Sequence, residues 1–180
     1  MKLIKNPLSK IFLVLAFFIL VFHDIAHCRE DKKLYKDGIQ AAREGNSDIA
    51  FIKFHMLLNS FPDSEYSQNA LFSAGEYYFL INDSSNAKKS FEKFLNDYPE
   101  AEIKPFVIAY LLKIAENRQQ HSSIEKLTKT LVGSQQVSLL FRDFEELKYL
   151  SALNKNYKAI NFIDKIEIYI DEEIFAEISF

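Results

Sequence analysis

The sequence predicts an all-α protein built as a solenoid of antiparallel helix hairpins, and two observations carry this prediction. Gly and Pro number only four each, against 17 Phe and nine Tyr in 180 residues, so the frequent turn residues of a β-sandwich or β-barrel are missing. A set of small, aromatic and apolar residues also recurs at a period of 37 residues, which is typical of stacked helical hairpins. Helices joined by short loops satisfy both observations.

The N-terminal segment, residues 1–28, has the pattern of a signal peptide. Three lysines precede an apolar run over residues 11–22, and polar residues end that run. A helix needs about 20 apolar residues to span ~30 Å of hydrocarbon, so this run is too short for a permanent membrane anchor. We therefore expect an exported chain in which residues 29–180 form one helical domain.

Cys28 is the only cysteine and lies shortly after the apolar run. Residues 25–28 resemble the lipobox of bacterial lipoproteins, in which the cysteine carries lipid and becomes the mature N-terminus. His27 departs from this pattern, because a small residue is usual at that place. The alternative is a thiol that leaves with an ordinary signal peptide or stays unpaired near the new terminus, and both interpretations remain open.

The charge of the chain argues against nucleic acid as a ligand. Removal of three lysines and one aspartate with the signal peptide leaves 19 Lys and Arg against 24 Asp and Glu, with no basic patch. Residues 164–180 alone hold six acidic residues against Lys165. This acidic end can attract a basic partner, or it can simply form solvated surface.

The repeat predicts two helix hairpins, over residues 31–64 and 68–101. A small Gly or Ala lets two helices approach closely, and a large aromatic residue fills the groove between them. A proline ends each hairpin, because proline lacks the amide hydrogen that a continuing helix needs. The recurring residues are Leu34, Gly38, Ala50, Phe54, Leu58 and Pro62, which appear again as Leu71, Gly75, Ala87, Phe91, Leu95 and Pro99.

These positions resemble the tetratricopeptide-repeat (TPR) family, a helix–turn–helix repeat with a period of about 34 residues. The second hairpin carries the expected residue type at all six consensus positions, whereas Ala41 replaces an aromatic residue in the first. The longer period and the segments 61–66 and 94–99 also resemble bacterial envelope TPR proteins, such as the TPR lipoprotein of the β-barrel assembly machinery and the periplasmic protein that coordinates division with the Tol–Pal system. The resemblance implies a short TPR stack in the periplasm or at the outer membrane.

A third, degenerate hairpin is expected over residues 105–133. Pro105 suits the first turn of a helix, and Ile108, Leu112 and Ala115 keep the helical period. The second helix of this hairpin lacks the Ala, aromatic and Pro positions of the consensus. The sequence therefore favours a helix hairpin here more strongly than it favours a TPR unit.

Residues 134–180 are expected to form C-terminal capping helices, the first of them over 137–153. In the last stretch, Ile166, Ile168 and Ile170 alternate as they would in a strand. A helix is nevertheless favoured there, because a lone terminal strand would have no sheet to join.

Stacked hairpins line one wall with their first helices, and the resemblance to TPR proteins implies that this wall forms a groove for a peptide or a partner protein. Aromatic residues bounded by charges suit an extended or helical peptide. Burial of Phe72 and Phe79 against the neighbouring hairpin is the alternative. The groove positions implied by the resemblance are Tyr35, Ile39 and Ala42 in the first hairpin, Asn69, Phe72, Glu76 and Phe79 in the second, and Phe106, Lys113 and Glu116 in the third.

The sequence carries no pattern of an enzyme, a metal site or a cofactor site. His55 and His121 each lack a second ligand at metal-binding spacing. Two Ser-x-x-Lys segments, at 85–88 and 123–126, lack the companion motifs of serine acyl-transfer enzymes and suit helix caps.

The function expected from these patterns is a non-enzymatic scaffold that binds another protein outside the cytoplasm, with membrane attachment if Cys28 is lipidated. No cofactor, nucleic acid or small-molecule substrate is expected. One alternative is an accessory subunit that docks through its acidic C-terminal helices. An unrecognised envelope enzyme is a third alternative.

Overall fold

Three helix pairs precede a four-stranded sheet in the computed structural model, which describes residues 30–133 and 145–179. Residues 1–29, with the predicted signal peptide and Cys28, lie outside the described residues, as do 134–144 and Phe180. The described helices are α1 (30–43), α2 (Ser47–Ser60), α3 (Ser67–Leu80), α4 (Ser84–Asp97), α5 (Lys104–Asn117) and α6 (His121–Gly133). The strands are β1 (Glu145–Leu150), β2 (Asn156–Asn161), β3 (Lys165–Ile170) and β4 (Glu173–Ser179).

The two predicted helix pairs between residues 31 and 100 are confirmed. In each pair a glycine of the first helix lies against a phenylalanine ring of the second. A Cβ atom at Gly38 would lie 2.5 Å from Phe54, and one at Gly75 would lie 2.6 Å from Phe91. Both rings are fully buried, so the small and large residues of the repeat interlock as the sequence predicts.

Local signals mark the starts of α4 and α5. Asp83 caps α4, because its carboxylate accepts a hydrogen bond from the amide of Asn86 at 3.1 Å. Pro105 occupies the first turn of α5, where its missing amide hydrogen costs no helical hydrogen bond. Helix α5 contacts α4, α6, β2 and β4, so it links the helices to the sheet.

The prediction of C-terminal capping helices within 134–180 is wrong for the described residues 145–179, which form the sheet. The strands pair antiparallel in the order β1-β2-β3-β4. The described end of the expected helix 137–153 is β1 and the loop after it. Ile166 and Ile168 alternate along a strand, β3. Its neighbours β2 and β4 supply the sheet whose expected absence had favoured a helix.

The hairpin turns explain why the sheet is hard to predict from the sequence. Asp171 and Glu172 form the two-residue turn between β3 and β4 with φ angles of 49° and 68°, which is the left-handed geometry of the favoured hairpin turns. Asn154, in the turn between β1 and β2, has a φ of 62°. Glycine usually marks such turns, and none of these positions carries one.

One buried face of the sheet packs on the helices. Tyr157 and Ala159 of β2 and Ile166 and Ile168 of β3 are buried in the same hydrophobic core as α3, α4 and α5. A second core holds parts of α1, α2 and α3 together with Ala152 and Leu153, from the loop after β1. The sheet is therefore part of the folded core and not an appended hairpin.

Substitution of Gly75 by alanine tests the close approach of α3 and α4. The new methyl group would overlap the buried ring of Phe91, and such overpacking typically costs 1–3 kcal/mol, so the free energy of unfolding should fall by about that amount. Chemical denaturation of the full chain measures the change. Gly133→Ala is the matched control, because among the described residues no other side chain or helix approaches within 4 Å of a Cβ atom at Gly133. Equal stability of the two variants would contradict the interlocking arrangement.

Candidate functional site

The inner wall is the surface on α3 and α5 that contacts the sheet, and it continues onto α1, which shares a core with the loop after β1. The predicted groove residues of α3 lie on one face of that helix, as their spacing requires. Asn69 accepts a hydrogen bond from the hydroxyl of Tyr149 at 3.1 Å, and Glu76 accepts one from the hydroxyl of Tyr157 at 2.6 Å. The ring of Phe79 lies 6.0 Å from that of Phe175. The sheet of the same chain therefore occupies the wall that was expected to bind a partner.

Phe72 lies at the centre of this contact and is fully buried. Its ring centroid lies within 6.2 Å of five other aromatic rings, two of them on the sheet. The ring is buried, as the alternative interpretation expects, but the sheet covers it together with the neighbouring helices; a contact of Phe72 with a partner stays a prediction. A partner can reach Phe72 or Glu76 only if the sheet leaves the wall.

The remaining predicted groove residues are half-buried, exposed or buried. Tyr35 and Ile39 are half-buried on α1 and pack against the core that contains Ala152 and Leu153. Lys113 and Glu116 lie at the end of α5, where their side chains form an exposed ion pair at 3.8 Å. Of these residues, only Lys113 and Glu116 are open to solvent, since Ala42 and Phe106 are buried.

A buried carboxyl group connects the inner wall to the sheet. Glu76 is 1% exposed and accepts hydrogen bonds from the hydroxyl groups of Tyr157 and Ser73. The hydroxyl groups of Tyr157 and Tyr110 lie 2.6 Å apart, so a continuous chain of polar groups joins α3, β2 and α5. This network holds the sheet in place.

Burial changes the acid–base behaviour of this network. Loss of solvation raises the pKa of Glu76 to about 7, although the Tyr157 hydrogen bond and the charge of Lys155 act in the opposite direction. Burial likewise raises the pKa of Tyr110 and of Tyr157, and the nearby Glu76 carboxyl adds to both shifts. Both phenols therefore stay protonated and remain able to donate hydrogen bonds.

Sequence reasoning identified Glu76 but missed its tyrosine partners. Tyr149 and Tyr157 fall in the region that was expected to be helical, so the sequence did not predict that they contact α3. The signal that was available is Glu76 itself, because a carboxyl group on an otherwise apolar helix face needs a buried hydrogen-bond donor.

The outer side of the helices carries two furrows. The first furrow lies between α2, α3 and α4, and the second furrow lies between α4, α5 and α6. On α3 the first furrow is lined by Leu71, Ala74 and Tyr78, which lie on the side of the helix opposite to the inner wall. The furrows are therefore open surfaces that the sheet does not cover.

The two furrows repeat with the same 37-residue period as the sequence. Eight of the twelve lining residues of the first furrow have a counterpart 37 positions later in the lining of the second, among them Leu58 with Leu95, Asn59 with Asn96, Ser67 with Lys104, Ala74 with Leu111, and Tyr78 with Ala115. The outer side thus preserves the repeat, whereas the inner wall is covered by a unique sheet.

The described residues, 30–133 and 145–179, contain neither a membrane-spanning helix nor a cluster of metal ligands. No helix there combines the length and the apolar character needed to cross a bilayer. No group of three or more His, Cys, Asp or Glu side chains there is placed to hold a metal ion.

Comparison with known proteins identifies the family of this chain. The family model described as YfiO, outer membrane lipoprotein, matches residues 28–171, which is well over half of the chain. The match includes all six described helices and the first three strands. No curated protein matches the chain.

Replacement of Glu76 by glutamine tests the buried carboxyl. Its pKa is higher in the folded chain than the ordinary value of 4.5, so folding favours the protonated form. The free energy of unfolding should therefore fall as pH rises from about 4.5 to about 7, by about 3 kcal/mol, and then level off. Denaturation at several pH values should show this fall in the wild type and its loss in Glu76→Gln.

Glu116→Gln is the matched control for this measurement, because Glu116 is exposed. Comparison with the control isolates the contribution of Glu76 to the pH dependence. The same pH dependence in Glu76→Gln and in the wild type would show that this carboxyl is not buried as described.

Proposed function

The chain belongs to the YfiO family of outer membrane lipoproteins, and from this membership we propose that it is an envelope scaffold that binds another protein at the outer membrane. It is a TPR-like envelope protein that resembles the TPR lipoprotein of the β-barrel assembly machinery. Stacked helix pairs of this kind present extended surfaces to partners. The observation that carries the proposal is this family match together with the three stacked pairs.

Attachment to the membrane is assigned to Cys28. The family match begins at this residue, and residues 25–28 resemble a lipobox. A diacylated or triacylated cysteine provides the two or more chains that stable anchoring requires. These observations favour lipidation over loss of the thiol with an ordinary signal peptide.

We place the binding surface outside the contact between the sheet and the inner wall. Displacement of the sheet would expose Tyr157, Ile166 and Ile168, which are at most 2% exposed, together with Phe72. At 1.5–3 kcal/mol for each buried side chain, this costs on the order of 10 kcal/mol, about as much as the whole stability of a typical domain. A partner that binds with the sheet in place avoids this cost, and the open residues Lys113 and Glu116 and the outer furrows remain available to it.

Docking through the acidic C-terminal end is the second candidate, now on strands instead of helices. The turn at Asp171 and Glu172 is exposed, which favours it. Part of the acidic charge is already neutralised, because Lys165 pairs with Glu167 and Glu177 and Lys158 pairs with Glu172. This end therefore attracts a basic partner less strongly than its composition implies.

Substitution of Cys28 by alanine tests the attachment. The wild-type chain should fractionate with the outer membrane and carry an N-terminal acyl group, whereas Cys28→Ala should lose both, because no thiol remains to be lipidated. Mass spectrometry of the mature N-terminus and membrane fractionation measure these outcomes. A processed wild-type chain that begins after residue 28 without lipid would refute the anchoring.

In-cell photocrosslinking tests the scaffold function. A photoreactive amino acid at position 49, 116 or 126, which are all exposed, should join the chain to a second, discrete protein in the membrane fraction. Position 108 is the matched control, because Ile108 is fully buried and should give only internal products. If no exposed position of the folded chain gives a product with another protein, the scaffold proposal is wrong.

A further inference from the structure

We propose that the second furrow, between α4, α5 and α6, binds an amphipathic segment of a partner protein that carries acidic and apolar side chains. This inference rests on the scaffold function and adds the surface and the chemistry of the segment that it recognises. The two furrows have the same origin in the repeat but differ in size and charge, and the differences favour the second.

The second furrow is the larger of the two. Its cavity volume is about 530 Å³, against about 260 Å³ for the first. One cause is a difference at equivalent positions, which carry Tyr78 in the first furrow and Ala115 in the second. An alanine leaves open the space that a tyrosine ring fills. A volume of this size lies within the range of 300–1,000 Å³ that is typical of binding pockets.

The floor of the second furrow is apolar. Leu111 and Ile114 of α5 are almost fully buried beneath it, and the half-buried Leu95 and Leu127 flank them on α4 and α6. An open channel between two helices, with apolar residues along its base, suits the apolar side of an amphipathic helix.

The rim of the second furrow is basic. Lys88, Lys104 and Lys126 line it, with Glu92 as the one acidic residue in the lining. Lys88 pairs with Glu92 at 3.7 Å, and the described residues supply no carboxylate partner to Lys104 or Lys126. Within the part of the chain that the structure describes, Lys104 donates to the backbone carbonyl of Pro99 at 3.1 Å. Two cations are thus left for carboxylates of a bound segment.

The first furrow lacks this excess of positive charge. Its lysine, Lys93, is paired with Asp97 on the same helix. The chain as a whole has a formal charge of −3, so a local basic surface runs against its overall balance. Charge complementarity therefore selects an acidic segment for the second furrow.

A designed peptide tests this assignment. The probe is a fluorescent helical peptide of about 15 residues, long enough to form a marginal helix, with leucines on one face and glutamates beside them. Fluorescence anisotropy with the full chain purified from membranes should show saturable binding that weakens as salt rises. The same peptide with glutamine in place of glutamate should bind more weakly.

Two sets of variants locate the site. Lys104→Glu combined with Lys126→Glu should weaken binding by about tenfold or more, whereas Lys33→Glu combined with Lys36→Glu, the matched change at exposed lysines elsewhere, should leave it unchanged. Ala115→Tyr should also weaken binding, because it gives the second furrow the tyrosine that narrows the first furrow at the equivalent position. Thermal denaturation checks that each variant is folded.

The inference is overturned if the peptide does not saturate, or if both lysine pairs weaken binding equally. It is also overturned if the acidic β3–β4 turn of a second copy fills the furrow, which sedimentation would reveal as self-association lost in the Lys104→Glu and Lys126→Glu variant. If positions 49 or 116 crosslink to another protein but the peptide does not bind, only this inference is wrong. If no exposed position gives a crosslink to another protein, the scaffold function is wrong.

Discussion

The ring of Phe72 packs against aromatic rings from both halves of the chain, and this contact joins the helices and the sheet. Phe91, Phe94 and Tyr110 approach it from the helices, and Tyr149 and Tyr157 approach it from the sheet. Each such aromatic pair contributes about 0.5–1.5 kcal/mol beyond the burial of its area. The sheet depends on this packing, because a sheet must bury an apolar face against another layer to be stable.

The carboxyl group of Glu76 adds specificity to an interface that is otherwise apolar. Hydrophobic packing tolerates small displacements, but the hydrogen bond from Tyr157 has to meet Glu76 at one position. A shift of β2 by one residue would turn Tyr157 to the other face of the sheet. It would leave a buried polar group without a donor, which costs about 1–3 kcal/mol or more.

The two sides of the helix pairs have different roles in consequence. The inner wall, which TPR proteins are expected to offer to partners, is used here to fold the rest of the chain. The outer side keeps the 37-residue repeat and remains open, and its two furrows have diverged through a few substitutions such as Tyr78 to Ala115. A repeat architecture allows such divergence, since each unit contacts only its neighbours.

The sequence by itself determined the helix pairs, because their information is local. The contact of Gly75 with Phe91, and the prolines and caps that end the helices, act within one hairpin and repeat 37 residues apart. The face of α3 that carries Asn69, Phe72 and Glu76 was visible for the same reason. Only the tertiary structure decided what covers that face. The covering sheet lies far along the chain, and its contacts join distant residues, as in the hydrogen bond from Tyr157 to Glu76, which are 81 positions apart. Asn154 and Asp171 have left-handed backbone conformations in turns, although neither is a glycine, the residue that usually indicates such a turn in a sequence.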